Sequence, residues 1–357
     1  MPLYILKVVK SMKKRRNIQG AKGKNFWRTK RVVIGVVAGV LLVAAFVGAF
    51  LFLRPPQSNF VGITFSTSDI PRWRVESARI KEQLIAKGYT AEVRFAQGDK
   101  NLQAQQIQDF VDLGAKVIVV NPVDGENLVP VMKEAHAKGV KFIAHDRLIV
   151  GGPIDYFVTV RMQDMGRISA EQMLLRNVGK HLVYVMGDPA DTNAVFHRDG
   201  TMKALEYAIE RGDVVLRAEL PTDWSEGVAY KVMAEYLKEH KDVDAVITGY
   251  DELAEGVARA LREAGIAGVY VTGGNAYVST CEAIRAGDIT VTFLKPEVIL
   301  ADASIAAADS FMRGESPEVF GVTDNGFMRV SSNYIAPVMI DASNVNMHIE
   351  NKSCTTK

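Results

Sequence analysis

From residue 60 onward the chain alternates two kinds of hydrophobic pattern. Short runs rich in β-branched and aromatic residues (FVGITF at 60–65, AEVRFA at 91–96, KVIVVN at 116–121, KFIAHD at 141–146) lead into one another through helical periodicity over 72–88, 100–114 and 126–138. After YFVTV at 156–160 the pattern restarts as HLVYVMG, VVLRAEL, AVITGYD and GVYVTGGN, separated by helical stretches over 193–211, 225–239 and 252–265. Such alternation predicts right-handed βαβ units around parallel sheets covered on both faces, and the restart predicts two Rossmann-like lobes of an α/β fold. The remainder, TVTFLKP, a helix over 297–313 and closing strands near 327–340, is too short for a third domain and must return to the first two. Three crossings are therefore expected, near residues 161, 291 and 326. They assign 59–160 with 292–326 to the first lobe and 161–291 with 327–347 to the second, leaving 348–357 as a tail.

One further hydrophobic pattern is of a different kind. VVIGVVAGVLLVAAFVGAFLFL, residues 32–53, holds twenty-two residues without a charge, enough as a helix to span a bilayer core of ~30 Å. Residues 1–31 before it carry eleven Lys or Arg and no acid. The positive-inside rule keeps that flank in the cytoplasm and sends the rest outside. The expectation is an uncleaved single-pass anchor, followed by a short stiff linker at 54–58; a cleaved signal peptide is the competing reading. Arg54 is the twelfth basic residue, so 31 of the 43 lie beyond it against all 41 acidic residues, a formal charge of −10 for the outer part. That balance argues against a nucleic-acid partner.

In open parallel sheets ligands sit beyond the carboxyl ends of strands. Polar residues recur at those places here: Asn121, Asp146 with Arg147, Asp188, Asp251 and Asn275. Asp146 and Arg147 are the most telling, because an apolar run ends in two residues that are costly to bury unless a polar cleft receives them. No GxGxxG follows the first strand and no Walker sequence occurs, so no cofactor is expected. The six histidines show no metal-ligand spacing, and no metal is expected. Cys281 lies in a helical pattern and Cys354 in the polar tail, and the two are expected to be unpaired.

Residues 59 to about 345 resemble the periplasmic sugar-binding proteins of type I fold that serve ABC importers, most closely the xylose-binding family. The resemblance is carried by PRW at 71–73, NPVDG at 121–125, AHDR at 144–147, DPADTNA at 188–194, TDW at 222–224, GYD at 249–251, GGN at 273–275 and LKP at 294–296. It implies a pentose-like monosaccharide as ligand, with Arg72, Asp146, Arg147, Asn193 and Lys295 around its hydroxyl edge and Trp73 and Trp224 against its faces or lining the cleft. This suits the chemistry, since each hydroxyl both donates and accepts and the C–H faces are apolar. Tyr250 and Asn275 depart from the xylose-binding pattern, which has Asn and Asp at those places, and so leave the sugar open.

Each of these residues has a plainer role available. Arg72 and Trp73 suit a helix start, Asp146–Arg147 a solvated ion pair, Asn193 and Asp251 N-caps, Trp224 a core position, Lys295 a strand end and Asn121 a turn before Pro122. The resemblance implies a binding protein whose closure is read by an ABC permease or, alternatively, by a membrane sensor kinase. A sugar-processing enzyme would need fixed paired carboxylates, and a repressor of the same fold would need a DNA-binding segment where the apolar run lies.

Overall fold

The computed structural model describes residues 58–356. The expected basic segment, apolar span and most of the linker lie outside the described residues. Among the described residues no helix is long and apolar enough to cross a membrane.

The first lobe is a seven-stranded sheet. Its parallel part runs β1 (Phe60–Phe65), β2 (Thr90–Phe95), β3 (Val117–Asn121), β4 (Lys141–His145) and β5 (Tyr156–Val160), with α1 (Pro71–Ala86), α2 (Lys100–Asp112) and α3 (Gly125–Ala137) between them. The sheet order is β2-β1-β3-β4-β5, and every residue of β1, β3 and β5 is buried, as expected of strands covered on both faces. The helices start where the chain supplies caps. The Asp99 carboxylate accepts from the amides of Asn101 and Leu102, and that of Asp124 from Glu126 and Asn127. Pro71 at the first position of α1 needs no amide partner.

The second lobe follows from Arg161. It comprises α4 (Met162–Leu175), β6 (His181–Met186), α5 (Thr192–Glu210), β7 (Val215–Pro221), α6 (Glu226–Tyr236), β8 (Ala245–Ile247), α7 (Asp251–Glu263), β9 (Tyr270–Val271), α8 (Val278–Ala286) and β10 (Val291–Leu294). Its parallel sheet has the order β7-β6-β8-β9, and a bridge from Thr272 to Val291 continues it to β10. α4 and α5 approach closely through two glycines. A Cβ on Gly166 would lie 2.0 Å from the His197 carbonyl oxygen, and one on Gly200 2.1 Å from that of Gln163.

The last part of the chain visits both lobes, and here two expected boundaries are corrected. β10 belongs to the second lobe, so the second crossing is at Lys295–Pro296, just before α9 (Glu297–Met312), which packs on α1 and on β3, β4 and β5. Next come β11 (Gly321–Asp324) and β12 (Arg329–Ile335), an antiparallel hairpin in which β12 pairs in parallel with β5, Ser331 opposite Tyr156 through Ile335 opposite Val160. The stretch 327–335, expected in the second lobe, therefore completes the first sheet. The third crossing falls at Ala336–Pro337, after which β13 (Val338–Asp341) pairs antiparallel with β10. The physical reason is the turn at 325–328. The Asn325 side chain accepts from the amides of Phe327 and Met328 and donates to the carbonyls of Ile149 and Gly152, pinning the hairpin to the first lobe.

The tail also differs from expectation. After α10 (Val345–Glu350) the chain runs to Cys354, which is joined to Cys281 by a disulfide with an S–S distance of 2.11 Å. The cysteines are thus paired rather than free. The tail is polar by composition, but Thr355 forms a bridge beside Tyr277 that brings Cys354 onto α8. Closing a loop with ends 73 residues apart removes unfolded-chain entropy of about 4 kcal/mol on the chain-entropy account.

Candidate functional site

At the end of β4 the backbone turns sharply. Asp146 adopts φ 69°, held by its amide donating to the Val158 carbonyl at 2.7 Å and by Thr159 Oγ1 donating to the Asp146 carbonyl at 2.8 Å. This aims its carboxylate at Arg72 in the first turn of α1, with Arg72 Nη2 to Asp146 Oδ1 at 2.7 Å and Arg72 Nη1 to Glu76 Oε1 at 2.6 Å. Burial works against the charge on Asp146, but Arg72, and after it Lys295, hold its carboxyl well below the usual carboxylate range. Behind this pair a buried chain continues. Glu76 Oε2 meets His145 Nε2 at 2.8 Å, and His145 Nδ1 meets Ser304 Oγ at 2.8 Å, tying α1, β4 and α9 together beneath the site. Asn121 belongs to this supporting layer. Its Oδ1 accepts from the Ser66 amide and hydroxyl and its Nδ2 donates to the His145 carbonyl.

The second lobe faces this with the N-terminus of α5 and the end of β10. Asp191 caps α5 by accepting from the Asn193 amide, and its other oxygen receives Arg147 Nε at 3.0 Å. That ion pair spans the two lobes. Burial pushes the Asp191 carboxyl up against the pull of Arg147. Asn193, the second residue of the same helix, is buried, and its Oδ1 has no partner among the described residues. Lys295, at the second crossing, is buried, and desolvation together with Arg72 lowers its pKa to about 8 despite Asp146, Asp191 and Asp251.

Aromatic rings close the remaining sides. Trp73 lies beneath the guanidinium of Arg147, 5.1 Å from ring centroid to Cζ. Trp224 follows β7 with φ 71°, and its ring sits edge-on to Tyr250 at 5.5 Å. It packs so tightly on Gly187 that a Cβ there would lie 2.4 Å from three ring atoms. The indole nitrogens of Trp73 and Trp224 are buried with no partner among the described residues. Asn275 has φ 131° and donates from Nδ2 to the Tyr277 hydroxyl, while its Oδ1 is buried with no partner among the described residues.

Ile70, Arg72, Trp73, Asp146, Arg147, Asp191, Asn193, Trp224, Tyr250, Asn275 and Lys295 line one cavity of ≈ 60 Å³ between the lobes. That is several times the ~10–15 Å³ that a single water needs, so the space between the lobes is large enough for a small polar ligand. Of the expected site residues only Asp251 stands apart from it. Both its oxygens are engaged, Oδ2 by the Tyr277 amide at 2.7 Å and Oδ1 by Thr292 Oγ1 at 2.6 Å, and burial raises its pKa to about 6. Asp251 thus holds the 273–277 loop instead of presenting a free carboxylate to the cavity, which corrects its expected place among the ligand contacts. Sequence reading missed Asp191, although it lies inside DPADTNA. It also missed the support from Glu76 and His145, the second of which stands inside AHDR.

Two lobes with parallel sheets, three crossings and a polar, aromatic-walled cavity between them define a type I periplasmic binding protein. The chain belongs to this family: the model of the periplasmic binding protein domain matches residues 61–316. It is 30% identical over 332 residues to the multiple sugar-binding periplasmic receptor ChvE of Rhizobium radiobacter, covering 85% of this chain and 94% of that protein. It is 27% identical over 288 residues to the D-xylose-binding periplasmic protein of Escherichia coli, covering 80% and 87%. A solved ABC transporter solute-binding protein from Clostridium phytofermentans with bound β-D-glucose superposes with a TM-score of 0.75 at 26% identity, covering 84% of this chain and 98% of that one. The chain is a sugar-binding protein of the periplasmic type and not an enzyme.

Proposed function

We propose that this chain captures a single pyranose of pentose or hexose size, D-xylose-like in its hydroxyl pattern, and presents it to an ABC importer. The observation that carries this is the set of buried polar groups facing one cavity: the Asp146 carboxylate, the Lys295 ammonium, Oδ1 of Asn193 and of Asn275, and the indole nitrogens of Trp73 and Trp224. They supply acceptors and donors around a ring, with aromatic walls for its C–H faces. The importer reading draws on the xylose-binding and solute-binding relatives. Tyr250 narrows the cavity, and the Asn275 amide offers a donor and an acceptor where a carboxylate would only accept, so the preferred sugar departs from strict xylose selectivity.

Calorimetric titration of the full chain with a panel of pentoses and hexoses tests the reading. One-to-one binding of at least one sugar is expected, weakened at least about tenfold by Asp146→Ala, since hydrogen bonds to charged groups contribute about 1.5–3 kcal/mol. A panel in which nothing binds refutes the proposal. The apolar run at 32–53 is proposed to anchor the protein with its binding part outside the cytoplasm, the compartment in which a Cys281–Cys354 disulfide persists. Recovery of a mature chain beginning near residue 55 from the medium would overturn the anchor. The short linker that would follow such an anchor favours a fixed neighbour, and this gives the sensor-kinase reading its place as the second. Sugar uptake lost on deletion of the protein, with sugar-induced transcription intact, selects the importer.

A further inference from the structure

Asn275 and Ala276 are consecutive non-glycine residues with positive φ, 131° and 56°, in the loop that presents Asn275 to the site. A pair of this kind persists only where its surroundings enforce it. From within the second lobe the Asn275 amide donates to the Phe293 carbonyl at 2.8 Å and the Tyr277 amide to Asp251. The other restraints come from the far end of the chain. The Thr355 amide donates to the Ala276 carbonyl at 2.8 Å, the Val278 amide donates to the Thr355 carbonyl at 2.8 Å, and Thr355 Oγ1 donates to the Asn275 carbonyl at 3.2 Å. Cys354, the residue before Thr355, is bonded to Cys281 in the first turn of α8, which begins just after the loop.

We infer that the C-terminal tail is a working part of the binding site, with Thr355 and the Cys281–Cys354 disulfide as positioning residues that hold the Asn275–Tyr277 loop in its ligand-ready conformation. The tail hydrogen-bonds the loop through its backbone and Thr355 Oγ1, and it acts on the sugar through Asn275, which lines the cavity. Opening the disulfide then loosens the site while leaving the lobes folded around their own cores. Reduction by a dithiol such as dithiothreitol supplies two electrons and two protons: the S–S bond breaks to two thiols while the reagent closes its own disulfide.

The inference rests on the sugar-binding reading for its consequence but not for its test. In the full chain, oxidised and dithiothreitol-reduced protein are compared by hydrogen exchange at the amides of Asn275 and Tyr277 and by titration with D-xylose and D-glucose. Reduction, or Cys354→Ser, is expected to speed exchange at both amides at least tenfold and to weaken binding of whichever sugar the oxidised protein takes at least tenfold. Thr355→Val, which keeps the disulfide but loses the hydroxyl, should give part of this loss, and Thr355→Ser should restore it. A staple that serves only stability would lower Tm and leave exchange in the loop and sugar affinity within about twofold, and that result overturns the inference. If oxidised protein binds no sugar, the functional reading fails, while loop exchange still decides the role of the tail.

Discussion

Lys295 shows how one buried charge makes binding and stability respond oppositely to pH. Desolvation lowers its pKa to about 8, whereas an unfolded lysine titrates at about 10.4. Between these values the unfolded chain binds more protons than the folded one, so the contribution of this group to stability increases as pH rises through the window. For a sugar the sign reverses, because the ammonium makes charge-assisted hydrogen bonds about twice as strong as those of a neutral donor. Affinity is therefore expected to be level near neutrality and to fall about tenfold as pH is raised to about 9.5, with Lys295→Met weaker throughout and without that step. Calorimetry across this range checks it, and a wild-type profile without a fall above about pH 8 removes Lys295 from the ligand shell. The residue types around the cavity were legible in the sequence because the motifs at strand ends place them there. Asp191 was not, because a helix cap and a cross-lobe partner look alike until both lobes are assembled. Asp251 misled for the opposite reason: its position at a strand end is right, but Tyr277 and Thr292 take both of its oxygens.

At the scale of elements, backbone constraint is concentrated where the sugar is proposed to sit. Asp146, Trp224 and Asn275, three non-glycine residues with positive φ, line the same cavity; Asp146 and Asn275 are hydrogen-bonded to neighbouring strands, and the Trp224 amide donates to Thr222 Oγ1 in its own turn. Strain of this sort is retained when rigid elements around it fix the geometry. The α4–α5 pair is one such element, since α5 delivers Asp191 and Asn193 from its N-terminus and is seated on α4 through Gly166 and Gly200. Gly200→Ala would drive a methyl group into the Gln163 backbone, which cannot yield as a side chain could. Overpacking of this kind costs about 1–3 kcal/mol, and a Tm several degrees lower is expected in thermal unfolding; an unchanged Tm would mean that the two helices can part freely. The strands and helices themselves were readable from period and composition. The crossings were harder, because β10 and β12 are short runs whose lobe is decided by pairing partners distant in sequence. Nothing local in VTFL or RVSSNYI tells which sheet will accept them. The disulfide was hidden likewise, since the packing of α10 on α8 and the bridge between Tyr277 and Thr355 bring the tail to α8.

For the molecule as a whole, binding depends on how readily the two lobes close. In this structure the lobes meet through Arg147 of the first, paired to Asp191 of the second at 3.0 Å. An ion pair between the lobes favours the arrangement in which they meet and is expected to add to the fraction of protein that is closed before any sugar arrives. Apparent affinity scales with that fraction, because a ligand bound by both lobes must draw on the closed population. Asp191→Asn tests this contribution: asparagine caps a helix as well as aspartate does, so α5 and the placement of Asn193 should persist while the charge is lost. Arg147 is about one-fifth exposed, which keeps the pair near the upper end of the range for accessible ion pairs, about 1 kcal/mol. That corresponds to about a fivefold loss of affinity, carried by a faster off-rate as the closed complex opens more often. Small-angle scattering of the sugar-free variant should show a larger radius of gyration than wild type, and saturating sugar should bring the two together. Equal radii without sugar, combined with unchanged affinity, would show that the Arg147–Asp191 contact does not set the balance between open and closed forms and that closure is governed by the sugar contacts alone.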